Sequence, residues 1–323
     1  MDGHVPFRMP RVLAWEVTRR CPLKCRHCRA GAADVADARE LSTDACLRVL
    51  DALAAPASAR QTPRPAPPLV IWTGGEPMLR DDILALVSHA TARGIRSVMA
   101  PCGMLVTEAR LAALREAGVA ACSFSLDGPD AATHDAFRGV PGAFDGVTRA
   151  MRIARALGMP FQVNVTVSTL NLGRLDALYD AAVRLGAAKL DLFFLVPVGR
   201  GRALARYALS PEQTDRVLDW AFAKAAEGPL AVKETCCPTA PCRWAQWARV
   251  HAPGAVARPP CGCLGGRGFA FLSHVGDLQT CGFVDAPCGN VRDFDFDFRA
   301  LVAAAANPLG RSGSCRCRPE AAS

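Results

Sequence analysis

From Val12 to Ala226 the chain repeats one pattern, a short apolar run followed by a turn and a helix-length amphipathic stretch. The apolar runs are VLAWEV (12–17), LVIWT (69–73), IRSVMA (95–100), VAACSFSLDG (119–128), FQVNVTV (161–167) and LDLFFLV (190–196). Between and after them lie LSTDACLRVLDALAA (41–55), DDILALVSHATARG (81–94), TEARLAALREAG (107–118), AFDGVTRAMRIARALG (143–158), LGRLDALYDAAVRLG (172–186) and SPEQTDRVLDWAFAKAA (210–226), each with apolar residues at helical spacing. Strict alternation with helical crossovers restricts the fold to α/β with a parallel sheet. Six strand–helix units are too few for an eight-fold barrel. The expected fold is therefore a partial, open (β/α)6 TIM-like barrel over residues 1–228. PASARQTPRPAPP (56–68) interrupts the pattern as an exposed, proline-rich connector.

In such folds chemistry collects at the carboxyl ends of the strands. A cysteine loop (17–30), TGGEP (73–77), PCG (101–103), SLDG (125–128) and VPVGRG (196–201) all follow strands directly, so they converge on one mouth. Past about residue 228 helical periodicity fades, and cysteine, glycine and proline dominate. Residues 229–323 are expected to form a small, cysteine-rich, metal-dependent extension, with RGFAFLSHVGDLQTCGF turning as a hairpin at HVGD.

The cysteine loop VTRRCPLKCRHCRA places Cys21, Cys25 and Cys28 within eight residues, among four arginines and a lysine. Structural zinc sites take four ligands, commonly from two C-x2-C pairs or from C-x2-C with two histidines. C-x3-C-x2-C supplies three. That number suits a four-iron cluster in which one iron lacks a protein ligand and stays open to a small molecule. His27, wedged between two of the cysteines, is expected to point outward. Cys46, Cys102 and Cys122 stand alone among apolar residues and read as small buried hydrophobes.

Composition narrows the function. The chain has 323 residues, half of them hydrophobic, so a large core is expected and wholesale disorder is not. No apolar run approaches the ~20 residues of a membrane span, and the first residues carry no signal-peptide pattern, which reads as cytoplasmic. Fifteen cysteines in a reducing compartment point to metal ligation rather than disulfides. A net charge of +8 suits nucleic acid or a carboxylate-rich small substrate. The basic residues are scattered and aromatics make up only 7%, which disfavours nucleic acid.

The C-x3-C-x2-C loop after the first strand resembles the signature of radical S-adenosylmethionine (SAM) enzymes. That resemblance implies a 4Fe-4S cluster held by Cys21, Cys25 and Cys28. Its open iron would chelate SAM, whose reductive cleavage yields a 5′-deoxyadenosyl radical. Gly74, Gly75, Glu76 and Pro77 match the family's SAM-binding turn after the second strand. Ser125 and Asp127 match the end of the fourth strand as candidate SAM contacts, and QVNVTV matches the wall beside adenine. Arg138, in THDAFRG, is a candidate partner for the SAM carboxylate or a substrate acid. An ordinary strand–helix turn and a solvated helix-end arginine are the simpler readings of these stretches.

In the extension, Cys263, Gly276 and Cys281 are spaced as C-x12-G-x4-C. This resembles the opening of SPASM-type auxiliary-cluster units. THDAFRGVPGAF, FFLVPVGRG, GCLGGRGFAFLSHVG and CGFVDAPCGNVRD resemble most the alternative haem-pathway branch. Those enzymes decarboxylate iron-coproporphyrin III to haem b, or act on the path to haem d1. The substrate implied is an iron tetrapyrrole with several propionates. Arg138 and Arg200, with Arg202, are the candidate catalytic and carboxylate-binding residues, and flavodoxin or ferredoxin is the implied electron donor. A turn with solvated arginines is the simpler reading of VPVGRG. The family continues with a run of four more cysteines and a last one, whereas here Cys288 is followed only by Cys315 and Cys317, one residue apart in SGSCRCRPEAAS. At most one auxiliary 4Fe-4S cluster is therefore expected, from Cys263 and Cys281 with two of Cys315, Cys317, Cys288, Cys261 or the cysteines of 236–242. Two rival readings are a peptide-modifying maturase of the same family and a non-catalytic metal-binding paralogue.

Overall fold

The structure is a computed structural model that describes residues 7–55, 67–252 and 263–306. The connector at 56–66 and the cysteines Cys261, Cys315 and Cys317 lie outside the described residues. Strands β1 (Val12–Glu16), β2 (Leu69–Thr73), β3 (Ser97–Met99), β4 (Val119–Ser125), β5 (Phe161–Val167), β6 (Lys189–Phe194) and β7 (Ala231–Thr235) pair in parallel, each with its sequence neighbour. Helices α1 (Thr43–Ala54), α2 (Ile83–Ala92), α3 (Glu108–Ala117), α4 (Ala131–Arg138), α5 (Ala143–Ala156), α6 (Leu175–Leu185) and α7 (Pro211–Glu227) form the crossovers. The alternation read from the sequence is the fold, an open parallel sheet of the partial-barrel kind.

Two features exceed the six-unit reading. β7 extends the sheet beyond β6, in a stretch whose Lys233 and Glu234 break the apolar run that marks the other strands. After α8 (Ala240–His251), strand β8 (Phe269–Leu272) returns to pair in parallel with β1, and β9 (Leu278–Gln279) folds back antiparallel to β8. The expected hairpin is present, and it is part of the main sheet. The sheet order is β7-β6-β5-β4-β3-β2-β1-β8-β9, so β1 is an interior strand. Helix α9 (Phe298–Ala304) closes the described chain by packing against α1.

The helices start where the sequence supplies caps. Ser42, Thr107 and Asp130 each accept a first-turn N–H at α1, α3 and α4, and Ser210 with Gln213 makes a reciprocal capping box at α7. The core lies between sheet and helices. Trp15 and Trp72, opposite one another on β1 and β2, stack at 5.6 Å and share one buried core with Val49, Leu50 and Leu53 of α1. Each such side chain contributes roughly 1.5–3 kcal/mol by leaving water.

The other face of the sheet differs. On β5 the residues alternate strictly, with Val163 and Val165 in the core while Gln162, Asn164 and Thr166 are half-buried on the opposite side. There Gln162 Nε2 donates to Asn164 Oδ1 at 2.8 Å and Asn164 Nδ2 to Ser123 Oγ at 2.9 Å. A polar floor therefore lies below the loops at the carboxyl ends of the strands.

Candidate functional site

The cysteine loop leaves β1 and is held by its neighbours. Gly75 N–H donates to Thr18 O at 2.7 Å and Glu76 N–H to Arg20 O at 2.8 Å, so the Gly-Gly-Glu-Pro turn lies directly on the loop backbone. Lys24 and Arg26 N–H groups donate to Arg138 O and Phe137 O at 3.2 and 3.0 Å, tying the loop to the end of α4. From beyond β6, Arg200 donates through its backbone N–H to Cys28 O at 3.0 Å, through Nε to Cys25 O at 2.9 Å and through Nη1 to Ala32 O at 2.5 Å. Contact this close requires glycine beside it. A Cβ on Gly75 would lie 2.3 Å from Arg20 O, and one on Gly199, at φ +55°, 2.2 Å from Arg29 O.

So held, the loop turns its thiols into one pocket. Cys21 and Cys25 are buried and Cys28 half-buried, packed with Leu23, Ala32 and Ala143. Arg138, itself buried, ion-pairs with the buried Asp127 at 2.6 Å and places Nη1 3.7 Å from Cys25 Sγ, while its Nε is buried without a hydrogen-bond partner. Burial pushes the Cys25 thiol up, against the pull of the Arg138 charge. A hydrogen bond from Cys102 brings Cys21 below the usual thiol range. Burial would raise the Asp127 carboxyl, but the Arg138 charge together with His27, His134 and the Thr166 N–H brings it below its ordinary value. Asp127 Oδ1 also accepts Thr166 N–H at 2.7 Å.

The donor set fits an iron–sulfur cluster. Among the described residues, no three His, Cys, Asp or Glu side chains converge on a point that one metal ion would fill. A cubane binds each thiolate to a different iron and needs sulfurs spread around a pocket. Three loop cysteines beside a fixed guanidinium with an unused N–H provide that, together with charge balance for an anionic cluster.

A second buried network links the loop to the C-terminal hairpin. Glu16, at the end of β1, pairs with Arg29 Nη2 at 2.6 Å, Arg19 Nε at 3.0 Å and His274 Nδ1 at 3.0 Å. His274 Nε2 faces Asp37 Oδ2 at 3.1 Å. Burial would raise the Glu16 carboxyl, yet the His274 hydrogen bond and the Arg29 and Arg19 charges bring it down to about 2. Arg29, one residue past Cys28, also reaches Gly282 O at 3.3 Å and lies over the Phe271 ring at 4.3 Å.

Residues 15–182 match the family model of the radical SAM superfamily. The chain belongs to the radical SAM superfamily. It is similar to the AdoMet-dependent heme synthase of Nitratidesulfovibrio vulgaris, 39% identical over 294 residues that cover 88% of this chain and 77% of that protein. It is also similar to the AdoMet-dependent heme synthase of Methanosarcina barkeri, 36% identical over 296 residues, 89% of this chain and 81% of that one. Among solved structures, Streptococcus suis SuiB bound to precursor peptide SuiA shares the fold, with a TM-score of 0.65 at 15% identity over 97% of this chain and 68% of that one. Members of the radical SAM superfamily carry a 4Fe-4S cluster and use SAM.

Within this radical SAM domain the structure brings most of the sequence candidates together. Cys21, Cys25, Cys28, Gly74, Gly75, Glu76, Pro77, Asp127 and Arg138 surround one mouth, and Ser125 ends β4 on the face that carries Ser123. Two positions differ from the sequence reading. Arg200 meets loop carbonyls, not open space where a substrate carboxylate would lie. His27 turns inward, its ring 4.5 Å from Phe137 and its Nδ1 shut off from water, and burial lowers its pKa to about 4. Arg202, by contrast, is exposed. Cys263 and Cys281 sit at turns, their sulfurs accepting Gly265 and Phe283 N–H at 3.4 and 3.5 Å.

Three residues escaped the sequence reading. Glu16 and His274 lie 258 positions apart, and only the β1–β8 pairing joins them. Cys102 read as a filler in an apolar run, but it follows β3, and its place on a carboxyl-end loop was the available signal.

Proposed function

We propose that this chain is a cytosolic radical SAM enzyme that oxidatively decarboxylates propionate side chains of an iron tetrapyrrole, turning iron-coproporphyrin III into haem b or acting on a haem d1 precursor. The observation that carries this reading is the likeness to AdoMet-dependent heme synthases across nearly nine-tenths of the chain. Cys21, Cys25 and Cys28 hold the cluster, and Gly74, Gly75, Pro77, Ser125 and Arg138 line the SAM site. Glu76 has both carboxylate oxygens committed to Met78 and Cys102 N–H groups, so it shapes the turn from within. Asp127 acts through Arg138, fixing the guanidinium whose free Nε suits a carboxylate.

The bound cluster and SAM supply hydrogen-atom abstraction. The chain's own residues supply the setting. Ser123, Gln162 and Asn164 would offer neutral hydrogen-bonding groups to bound SAM or substrate, and exposed Arg202 would offer a cation to a propionate. Arg200 serves the site by holding the cysteine loop. Exposed Lys24 and Arg26 on that loop offer a positive face to an acidic donor of the flavodoxin or ferredoxin kind. Of residues 229–323, the described part adds β7 and the β8–β9 hairpin to the main sheet, and its Cys263 and Cys281, with Cys315 and Cys317 outside the described residues, serve in the SPASM-like role as ligands of one auxiliary cluster.

The test uses anaerobically reconstituted protein with SAM and dithionite, given iron-coproporphyrin III and didecarboxysirohaem side by side. One of them should shift its Soret band on binding and lose CO2 with equimolar 5′-deoxyadenosine. A Cys21→Ala/Cys25→Ala/Cys28→Ala variant should make neither product. Absence of any spectral or mass change with both tetrapyrroles, while SAM is still cleaved, would refute the substrate and favour a peptide. Undiminished SAM cleavage by the triple variant would refute the cluster assignment.

A further inference from the structure

The face of the sheet turned away from the core changes character from one edge to the other. Pairing in register sets Phe271, Ala14, Ile71, Val98 and Ala121 side by side on β8, β1, β2, β3 and β4, an apolar row. Further along, Gln162, Lys189 and Ala231 pair across β5, β6 and β7, and Asn164, Asp191 and Lys233 pair one row on. Paired residues on neighbouring strands point to the same side of a sheet. The polar floor therefore continues past β5, and there it carries charge, two lysines and one carboxylate. Asp191 is only 3% exposed. Its Oδ1 accepts Thr235 Oγ1–H at 2.7 Å, and its Oδ2 faces Lys233 Nζ at 3.6 Å, too far for a hydrogen bond. A carboxylate taken out of water needs a cation near it, and Asp191 draws the Lys233 ammonium over the floor. That ammonium is not used up. Its side chain stays half exposed and, among the described residues, donates no hydrogen bond. Arg138 and Arg200, by contrast, are committed to Asp127 and to loop carbonyls.

We propose that Lys233 is the carboxylate-binding residue of a subsite on the inner face of β6 and β7, where it takes one propionate of the tetrapyrrole while Asp191 and Thr235 hold it in place. The inference deepens the substrate reading above and rests on it. Two lysines against one aspartate leave one positive charge on this stretch, which a single carboxylate neutralises. An ammonium has three hydrogens and no acceptor, so Lys233 can keep Asp191 and still bind a substrate acid. On the other side of the floor Ala121 and Val98 begin the apolar row. One molecule that carries both hydrocarbon and carboxylates therefore matches the face from β3 to β7.

The experiment uses the full chain, anaerobically reconstituted, as wild type and as Lys233→Met, Lys233→Gln, Lys233→Arg and Lys233→Glu. Each is titrated with iron-coproporphyrin III and with didecarboxysirohaem, with SAM present and no reductant, and Kd is read from the Soret shift. Iron content and circular dichroism are measured beside it. Lys233 is half exposed on an edge strand, so all five proteins should match in both. For the tetrapyrrole that wild type binds more tightly, methionine and glutamine should each raise Kd about five- to tenfold, the loss of one charge-assisted hydrogen bond at a half-exposed site. Arginine should return Kd to within about twofold of wild type, and glutamate should weaken binding beyond methionine. A lysine that only neutralises Asp191 would lower stability and leave Kd unchanged. Equal Kd for wild type and either neutral variant would overturn the proposal. So would an arginine variant as weak as methionine, or a glutamate variant no weaker than methionine. A wild-type protein that binds neither tetrapyrrole would instead overturn the substrate reading beneath it.

Discussion

Replacing Glu16 by glutamine removes one negative charge from a site with no access to water. The carboxylate faces Arg29 at 2.6 Å and Arg19 and His274 at 3.0 Å each. Its ordinary value of 4.5 falls to about 2 in the folded protein, despite burial that pushes the other way. At about 1.4 kcal/mol per tenfold, that drop corresponds to about 3 kcal/mol of folding stability. Because the folded value is the lower one, the contribution is complete above about pH 4.5 and disappears as the pH falls toward 2. At pH 7 Glu16→Gln should therefore lose about 3 kcal/mol or slightly more, since Arg29 is left half-buried and unpaired. Anaerobic urea unfolding followed by tryptophan fluorescence reads this directly. Asp34→Asn is the internal comparison. Its 2.9 Å pair with Arg20 is exposed on both sides and should be worth under about 1 kcal/mol. A Glu16→Gln loss no larger than that of Asp34→Asn would refute the reasoning. So would wild-type and variant stabilities that run parallel between pH 5 and pH 3.

Two further outcomes follow from how the cysteine loop is gripped. Arg200→Lys keeps the charge but has one nitrogen where the guanidinium spans Cys25 O and Ala32 O, so it should retain several-fold less iron after gel filtration and leave the fold's circular dichroism unchanged. Gly199→Ala should destabilise the protein by about 1–3 kcal/mol and lower iron retention, because its Cβ meets Arg29 O; Gly158→Ala, at φ +66° with nothing within 4 Å, should cost only the backbone strain and spare the iron.

The alternation of apolar runs and amphipathic stretches made the sheet, its parallel pairing and its functional edge readable, because helix and strand periods differ and six units repeat them. The cysteine spacing and the Gly-Gly-Glu-Pro turn were readable for the same reason, being local. What stayed hidden depends on distance along the chain. Nothing near Glu16 announces His274. Arg200 looked like a free cation at the mouth because sequence shows a charge without its acceptors. Here those acceptors are backbone carbonyls, which every residue possesses and which no pattern marks. β7 was missed because Lys233 and Glu234, side by side in this edge strand, leave no apolar run of the kind that marks the interior strands.

The position of β1 inside the sheet has a consequence for biosynthesis. One neighbour, β2, is translated soon after it, but the other is β8, and Gly282, which braces Arg29, is 253 residues downstream of that arginine. At 5–20 residues per second a ribosome needs roughly 10–50 s to cover that span. Through this interval the three loop thiols exist without the strand and hairpin that later flank them. A nascent chain stalled before β8 would carry the three thiols without these braces.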